Sequence, residues 1–302
     1  MDRRMRLHLI DGTYELFRGH FSKQPPRKTA DGQDVKATVA MVSSILSLLS
    51  DPQESVTHLG VAFDNPIRSF RNDLFAGYKT EEGVPRELLN QFDFAELSVR
   101  TLGVVVWSMA RYEADDALAT AAAKWRDQVE QVRILASDKD FGQCIRERRV
   151  IQIDRQRRRE IDEQALHAWR GVGPKSIPDL LALVGDNADG IPGLPGFGYK
   201  SAALLLSRYE HLEKIPDDAR LWSARPARAE QLARTLAAHR DAVLLYRRLA
   251  TLVEDVPLRE TLEDLRWLGV HRRPFLLWCD SLGLNELKLR PRKWQGDLAQ
   301  SA

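Results

Sequence analysis

Val104-Val105-Val106-Trp107 and, after a short gap, Glu113-Ala114-Asp115-Asp116-Ala117-Leu118-Ala119 decide how this chain folds. The first is a short apolar run of strand type, and the second opens an Ala-rich helical run. Three carboxylates crowd the helix start. Glu113 and Asp116, three positions apart, meet on one helix face, while Asp115 turns toward a neighbouring element. Free N–H groups and the helix dipole tolerate acids there, so the cluster alone reads as an ordinary acidic first turn.

Working outward changes that reading. Arg6 to Ile10 is a strand-like run that ends at Asp11, and Leu59 to Phe63 is another that ends at Asp64. Gln131 to Ala136 is a fourth, followed by Ser137-Asp138-Lys139-Asp140. Helical segments alternate with these runs: Thr13 to Arg18, Ala37 to Leu49, and Arg86 to Leu102, the last opened by Pro85 and closed by Gly103. The alternation predicts an α/β fold, a mostly parallel sheet with helices on both faces. Residues just past parallel strands line one edge of the sheet, the edge where ligands bind. So many acids at one edge repel one another unless cations neutralise them. Cys144 and Cys279 make no zinc spacing and the seven histidines are scattered, so an oxygen-bound Mg²⁺ or Mn²⁺ is expected rather than Zn²⁺.

Beyond the edge, Val150 to Ile153 and an Arg-rich run to Ile161 read as a hairpin, solvated or in contact with phosphate. After Gly171 the composition shifts. A Leu-rich helix, Leu180 to Val184, leads into Asp186 and Asp189, then a Gly/Pro hairpin, then a helix from Ser201 to Tyr209 entered by Lys200. Glycines let backbone approach a ligand closely, and N–H groups at a helix start bind phosphate oxygens. Leu221 to Val253 and Arg259 to Leu287 read as largely helical and basic. With 302 residues, 43% hydrophobic and 29% charged, the chain fits two packed domains, 1–172 and 173–302. A formal net charge of +2 does not announce a nucleic-acid binder but leaves room for acids in a site with bases around it. No apolar run reaches membrane-span length and the first residues are too short for a signal peptide, so a cytoplasmic protein is expected.

Five blocks together resemble the bacterial 5′→3′ exonuclease and flap endonuclease family, which includes the N-terminal nuclease domain of DNA polymerase I and its free-standing relatives. They are LIDGTYELFR (9–18), FDNPIRSFR (63–71) with Tyr78-Lys79, YEADDALAT (112–120), SDKDFGQ (137–143) and GDNADGIPGLPGFGYKSA (185–202). The resemblance runs from Leu7 to about Leu258. It implies a PIN-like catalytic domain and a helical domain carrying a helix–three-turn–helix at about 183–209.

Carried over by position, the family's metal carboxylates fall on Asp11, Asp64, Glu113, Asp115, Asp116, Asp138, Asp140, Asp186 and Asp189. Its basic arch residues, which meet the scissile phosphate, fall on Arg71 and Lys79. Contacts to DNA fall on Arg18, Arg68, Gly193, Gly196, Gly198 and Lys200. Carbonyls of Leu183, Val184, Pro192, Leu194 and Phe197 would hold a K⁺. Two departures stand out: Glu82 takes the place of an arginine usual three residues past the basic Lys79, and Gly190 that of an asparagine, which should loosen its turn.

The resemblance thus implies a two-metal phosphodiesterase, with two Mg²⁺ or Mn²⁺, acting as a monomer on 5′ flaps, nicks and duplex ends, with a DNA polymerase as a further partner. Other readings are a DNA-binding protein with weak or no catalysis and an RNase acting on RNA–DNA hybrids. A haloacid-dehalogenase-type phosphatase is disfavoured, because Thr13 stands where that chemistry needs a second aspartate.

Overall fold

The computed structural model describes residues 5–296. In chain order the elements are β1 (Arg6–Asp11), α1 (Gly12–His20), α2 (Lys36–Leu49), β2 (His58–Asp64), α3 (Arg71–Leu74), α4 (Arg86–Leu89), α5 (Phe92–Arg100), β3 (Val105–Met109) and α6 (Ala114–Trp125). They continue with β4 (Gln131–Leu135), β5 (Val150–Asp154), β6 (Arg159–Ile161), α7 (Glu163–Arg170), α8 (Ile177–Val184), α9 (Tyr199–Tyr209), α10 (Ala229–Ala238), α11 (Arg240–Ala250) and α12 (Arg272–Ser281).

The strands form one sheet in the order β3-β2-β1-β4-β5-β6, parallel throughout except for the β5–β6 hairpin. Side chains alternate across it as the two-residue period requires. Leu59, Val61 and Phe63 face one core with α2, α5 and α12, whereas Leu7, Leu9 and Ala62 face the other with α6. Small residues Ala117, Ala121 and Ala122 let α6 sit close to the sheet. Register places Asp11 opposite Ala62 and Ile10 opposite Leu135, so the C-terminal ends of β1, β2 and β4 lie side by side.

Gly171, in the left-handed region (φ +74), caps α7 and ends the first unit. From there to Ala250 the chain builds most of another core, with Leu180, Leu181, Leu205, Leu206, Leu232, Leu236, Val243 and Leu249, which Tyr78, Ile145, Ile161 and Leu166 join from the first unit.

Two expectations need correction. The helix expected over 86–102 is two helices; at the break Gln91 is buried and its Oε1 accepts from Thr38 N and Oγ1, both at 3.2 Å. Within the unit expected over 173–302, the residues after Ala250 pack against the sheet. Beyond Ala250 the chain returns to the sheet, where Leu252 and Leu265 join one core and Val270, Phe275, Trp278 and Cys279 the other. That return is pinned by Trp267 N donating to Thr57 O (2.9 Å) and His271 N to Thr101 O (3.0 Å), and of 259–287 only α12 is an α-helix. Both cysteines are free and buried.

Candidate metal centre

The acids at the sheet edge are held by backbone N–H groups. Asp11, last in β1, accepts from Tyr14 N at 2.8 Å and so caps α1. Asp64, last in β2, accepts from Ala114 N at 2.7 Å, while its own N–H donates to Thr13 Oγ1 at 2.8 Å. Asp138 accepts from Asp140 N at 2.9 Å at the start of a 3-10 turn, Lys139–Cys144. Burial first, then Asp64 and Asp138, pushes the Asp11 carboxyl up to about 8. Asp115 is likewise raised, by burial and by Asp11, Asp138 and Asp64, and Asp64 by burial foremost. These four carboxylates therefore share one field.

A second group lies beside them. Asp140, Asp186 and Asp189 are buried, and one oxygen of each lies within 4.8 Å of the others. Asp140 Oδ1 is buried without a hydrogen-bond partner. Burial, with Asp138 next, raises Asp140, and burial raises Asp189 against the opposing pull of Lys79. Lys139 Nζ pairs with Asp186 and lies 3.9 Å from Asp140. Burial lowers the affinity of that lysine for its proton, but Asp140 and Asp138 outweigh it and the net shift is upward.

Glu113 and Asp116 belong to a different arrangement. Each caps the other's end of the first turn of α6, Asp116 accepting from Glu113 N at 3.0 Å. The Arg71 guanidinium donates to Asp116 through both terminal nitrogens at 2.7 Å, to Glu113 at 3.1 Å, to Leu249 O at 2.8 Å and to Thr251 O at 2.9 Å. All five of its donors are thus engaged, and it is 1% exposed. In this arrangement the hydrogen-bonding capacity of the Arg71 guanidinium is taken up by Asp116, Glu113 and two carbonyls. Glu113 also accepts from Ser69 Oγ (2.7 Å) and Tyr78 Oη (3.2 Å) and pairs with Lys79 (2.8 Å). Burial pushes its carboxyl up, yet Lys79 and Arg71 prevail and hold it down to about 2.

Lys79 faces both Glu113 and the second group. Its Nζ lies 2.8 Å from Glu113 and 3.0 Å from Asp189, with 26% of its side chain exposed. Its own N–H donates to Asp189 O at 3.0 Å. The neighbouring turn is tight rather than loose: Gly190 has φ +74, and a Cβ there would sit 2.0 Å from Gly77 O. Glycine is what lets the loop carrying Lys79 close on the second metal group.

In the hairpin the predicted glycines divide. Gly193 is buried, and a Cβ on it would meet Gly185 N and Val184 C at 2.5 Å, so it packs the hairpin on α8 and presents nothing to a ligand. Gly196, Gly198 and Lys200 are exposed at the start of α9. Leu183 O accepts from Leu194 N (2.8 Å) and Leu194 O from Phe197 N (3.1 Å), while Val184 and Pro192 carbonyls crowd Gly193 and Gly185. Arg18 donates to Ser44 Oγ at 2.9 Å and pairs with Glu15 beside a cavity of about 150 Å³ lined also by Tyr14, Ser137 and Arg155. Arg68 is exposed. Lys139, Ser69 and Thr13 were missed as site residues; for Lys139 its position between two named acids was the available signal.

Seven buried or half-buried carboxylates thus face two lysines, Lys79 and Lys139, and one buried carboxylate oxygen has no hydrogen-bond partner. Oxygen donors in that excess fit hard divalent cations such as Mg²⁺ or Mn²⁺.

Two family models match, the 5′-3′ exonuclease N-terminal resolvase-like domain over residues 6–170 and the 5′-3′ exonuclease C-terminal SAM fold over 172–273. DNA polymerase I of Bacillus caldotenax is 30% identical over 282 residues, 92% of this chain and 31% of that protein. The chain thus spans about a third of the length of that relative. Among solved structures, the T5 D15 protein co-crystallised with metal ions superposes with a TM-score of 0.64 at 20% identity, over 81% of this chain and 89% of that one. The catalytic core of Rad2 in complex with DNA substrate gives 0.57 at 14% identity, over 93% and 89%.

Proposed function

The chain belongs to the 5′-3′ exonuclease family, and from that premise we propose that it hydrolyses DNA phosphodiester bonds at 5′ flaps, nicks and duplex ends with two divalent ions. The observation that carries this reading is the pair of carboxylate groups, Asp11–Asp64–Asp115–Asp138 and Asp140–Asp186–Asp189, the second with an Asp140 oxygen that has no hydrogen-bond partner. Each group would hold one ion. When bound, such ions supply Lewis acidity to phosphoryl oxygens and lower the pKa of water.

The chain's own residues do the rest. Lys79, between Glu113 and Asp189 and open to one side, is placed to neutralise charge developing on the phosphate. Arg71 acts through others: it fixes Glu113 and Asp116, and Glu113 in turn fixes Lys79. Backbone N–H groups at the start of α9, with Lys200, would hold the duplex by its phosphates without reading sequence, and a K⁺ at the carbonyls of Leu183, Val184, Pro192, Leu194 and Phe197 would stiffen that hairpin. A DNA polymerase acting on the same strand would generate the flaps.

The test compares 5′-labelled flap, nicked and blunt duplexes, and an RNA–DNA hybrid, with Mg²⁺ or with excess EDTA. Metal-dependent cleavage of the DNA substrates is expected. Cleavage that persists in EDTA, or that is confined to the hybrid, would overturn the reading.

A further inference from the structure

The Arg-rich hairpin contains two kinds of arginine. Some are paired: Arg157 with Asp154 at 2.8 Å and Arg155 with Ser44 Oγ at 2.9 Å. Arg159, together with Arg170 at the end of α7, is different. Among the described residues neither guanidinium makes an ion pair or a side-chain hydrogen bond; both lie over aromatic rings instead. Arg170 is 3.7 Å and Arg159 4.8 Å from the centre of the Trp169 ring, and Arg170 is also 5.5 Å from that of Tyr199. Trp169 and Tyr199 are 43% and 41% exposed, unusual for large rings with a core nearby.

The four side chains make one row, Arg159–Trp169–Arg170–Tyr199, and Tyr199 is the first residue of α9 with exposed Gly198 and Lys200 on either side of it. The row is continuous where Gly171, the cap of α7, comes close to α9: a Cβ on Gly171 would lie 3.3 Å from Ala203 Cβ. A guanidinium stacked on a ring keeps its N–H edges free, oriented and cheap to order, which suits a phosphate oxygen.

We propose that this row extends the duplex-binding surface beyond the helix–three-turn–helix, with Arg159 and Arg170 each contacting a phosphate of the duplex arm that the start of α9 anchors. The inference rests on the exonuclease reading and adds to it a second, sequence-independent contact zone. Charge complementarity argues for DNA as occupant: Glu160, the acid next to Arg159 in the chain, is paired with Arg133 at 2.6 Å.

The experiment measures binding of the full chain to a short and to a long duplex arm across a salt series, in Ca²⁺ to suppress cleavage. Arg159→Ala/Arg170→Ala should weaken binding to the long arm and flatten its log K against log salt by about two units, one per phosphate, and leave the short arm unchanged. Arg170→Lys should keep the slope, whereas Trp169→Ala should weaken the long arm with a smaller change in slope. Melting temperature and Mg²⁺-dependent cleavage of a short flap should match the parent in every variant. Equal affinity and slope for parent and double variant on the long arm would overturn the inference and leave the row as a strap between α7 and α9. A parent that neither binds nor cleaves DNA would overturn the exonuclease reading as well, so the two failures are distinguishable.

Discussion

Glu113–Asp116 and Asp140–Asp186–Asp189 are both buried carboxylate clusters at the same sheet edge, yet only the first is neutralised from within. Arg71 spends every donor on Glu113, Asp116 and two carbonyls, and Lys79 adds a second cation to Glu113. The second cluster has Lys139 at its margin, Lys79 on Asp189, and an oxygen of Asp140 with no hydrogen-bond partner. A buried charge without compensation is unfavourable, so the first cluster is satisfied as it stands, whereas the second is the one that fits the proposed cation. Glu113 held down to about 2, with Asp140 and Asp189 raised, expresses the same difference.

The largest effect should come from the open cluster. Asp140→Asn removes a charge and a metal oxygen together, so Mg²⁺-dependent turnover should fall by at least about a hundredfold. The metal-free protein should melt no lower than the parent, because one like charge is gone. Single-turnover cleavage and a thermal melt in EDTA check both. An unchanged rate would show that the open cluster is not the metal site, and the comparison would collapse.

The compensated cluster should respond in the opposite way. Arg71→Met leaves Asp116, fully buried, and Glu113 without their guanidinium, and should cost about 3–5 kcal/mol in denaturant unfolding. Arg71→Lys should recover only part of this, since a lysine cannot make the bidentate pair. Parent-like stability with lost cleavage would return Arg71 to the phosphate and break the assignment.

The two clusters also differ in how far they were legible. Strand periodicity and an aspartate at each strand exit were enough to place Asp11, Asp64 and Asp138 on one edge, because parallel strands end together. Nothing local told that Asp116 is a structural anion: its partner Arg71 lies 45 positions away and completes its bonding on residues 249 and 251. The break at Gln91 and the return of residues beyond 250 to the sheet were hidden for the same reason, being decided by tertiary partners rather than by local pattern. Gly190 was misread because its constraint comes from Gly77, on the loop of Lys79.

That loop provides a third test, placed between the clusters. Gly190→Ala puts a methyl 2.0 Å from Gly77 O in a left-handed turn, and should cost about 1–3 kcal/mol and move Lys79 from Asp189. Reduced cleavage with a lowered melting temperature is expected. Full tolerance would show a slack turn and uncouple the two clusters.

Acid sensitivity sharpens the contrast from outside the site. Glu54 is compensated like Glu113: its hydrogen bond with His8 (3.0 Å), against burial and with Arg133 at 2.9 Å, holds its carboxyl down to about 2. A depressed carboxyl stabilises above its ordinary value near 4.5 and loses that contribution as pH falls toward 2. Glu54→Gln should therefore lower stability at neutral pH and flatten the acid limb of a denaturation curve. An unchanged limb would show that this edge ion pair carries no linkage.

The smallest effect is expected at Glu82, exposed on the same loop three residues past Lys79. A carboxylate near an incoming 5′ strand repels phosphate, but an exposed charge interacts through water, where such contributions are about 1 kcal/mol or less. Glu82→Arg should thus raise the rate on a 5′ flap by no more than about fivefold at low salt, and the gain should vanish as ionic strength shortens the Debye length. Since Glu82 touches neither cluster, stability and blunt-end cleavage should match the parent. A gain that survives high salt would mean a direct bond to the strand rather than a field; equal flap rates throughout the salt series would mean that Glu82 faces away from it. Either outcome would separate charge that acts through solvent from the buried charges that define the two clusters.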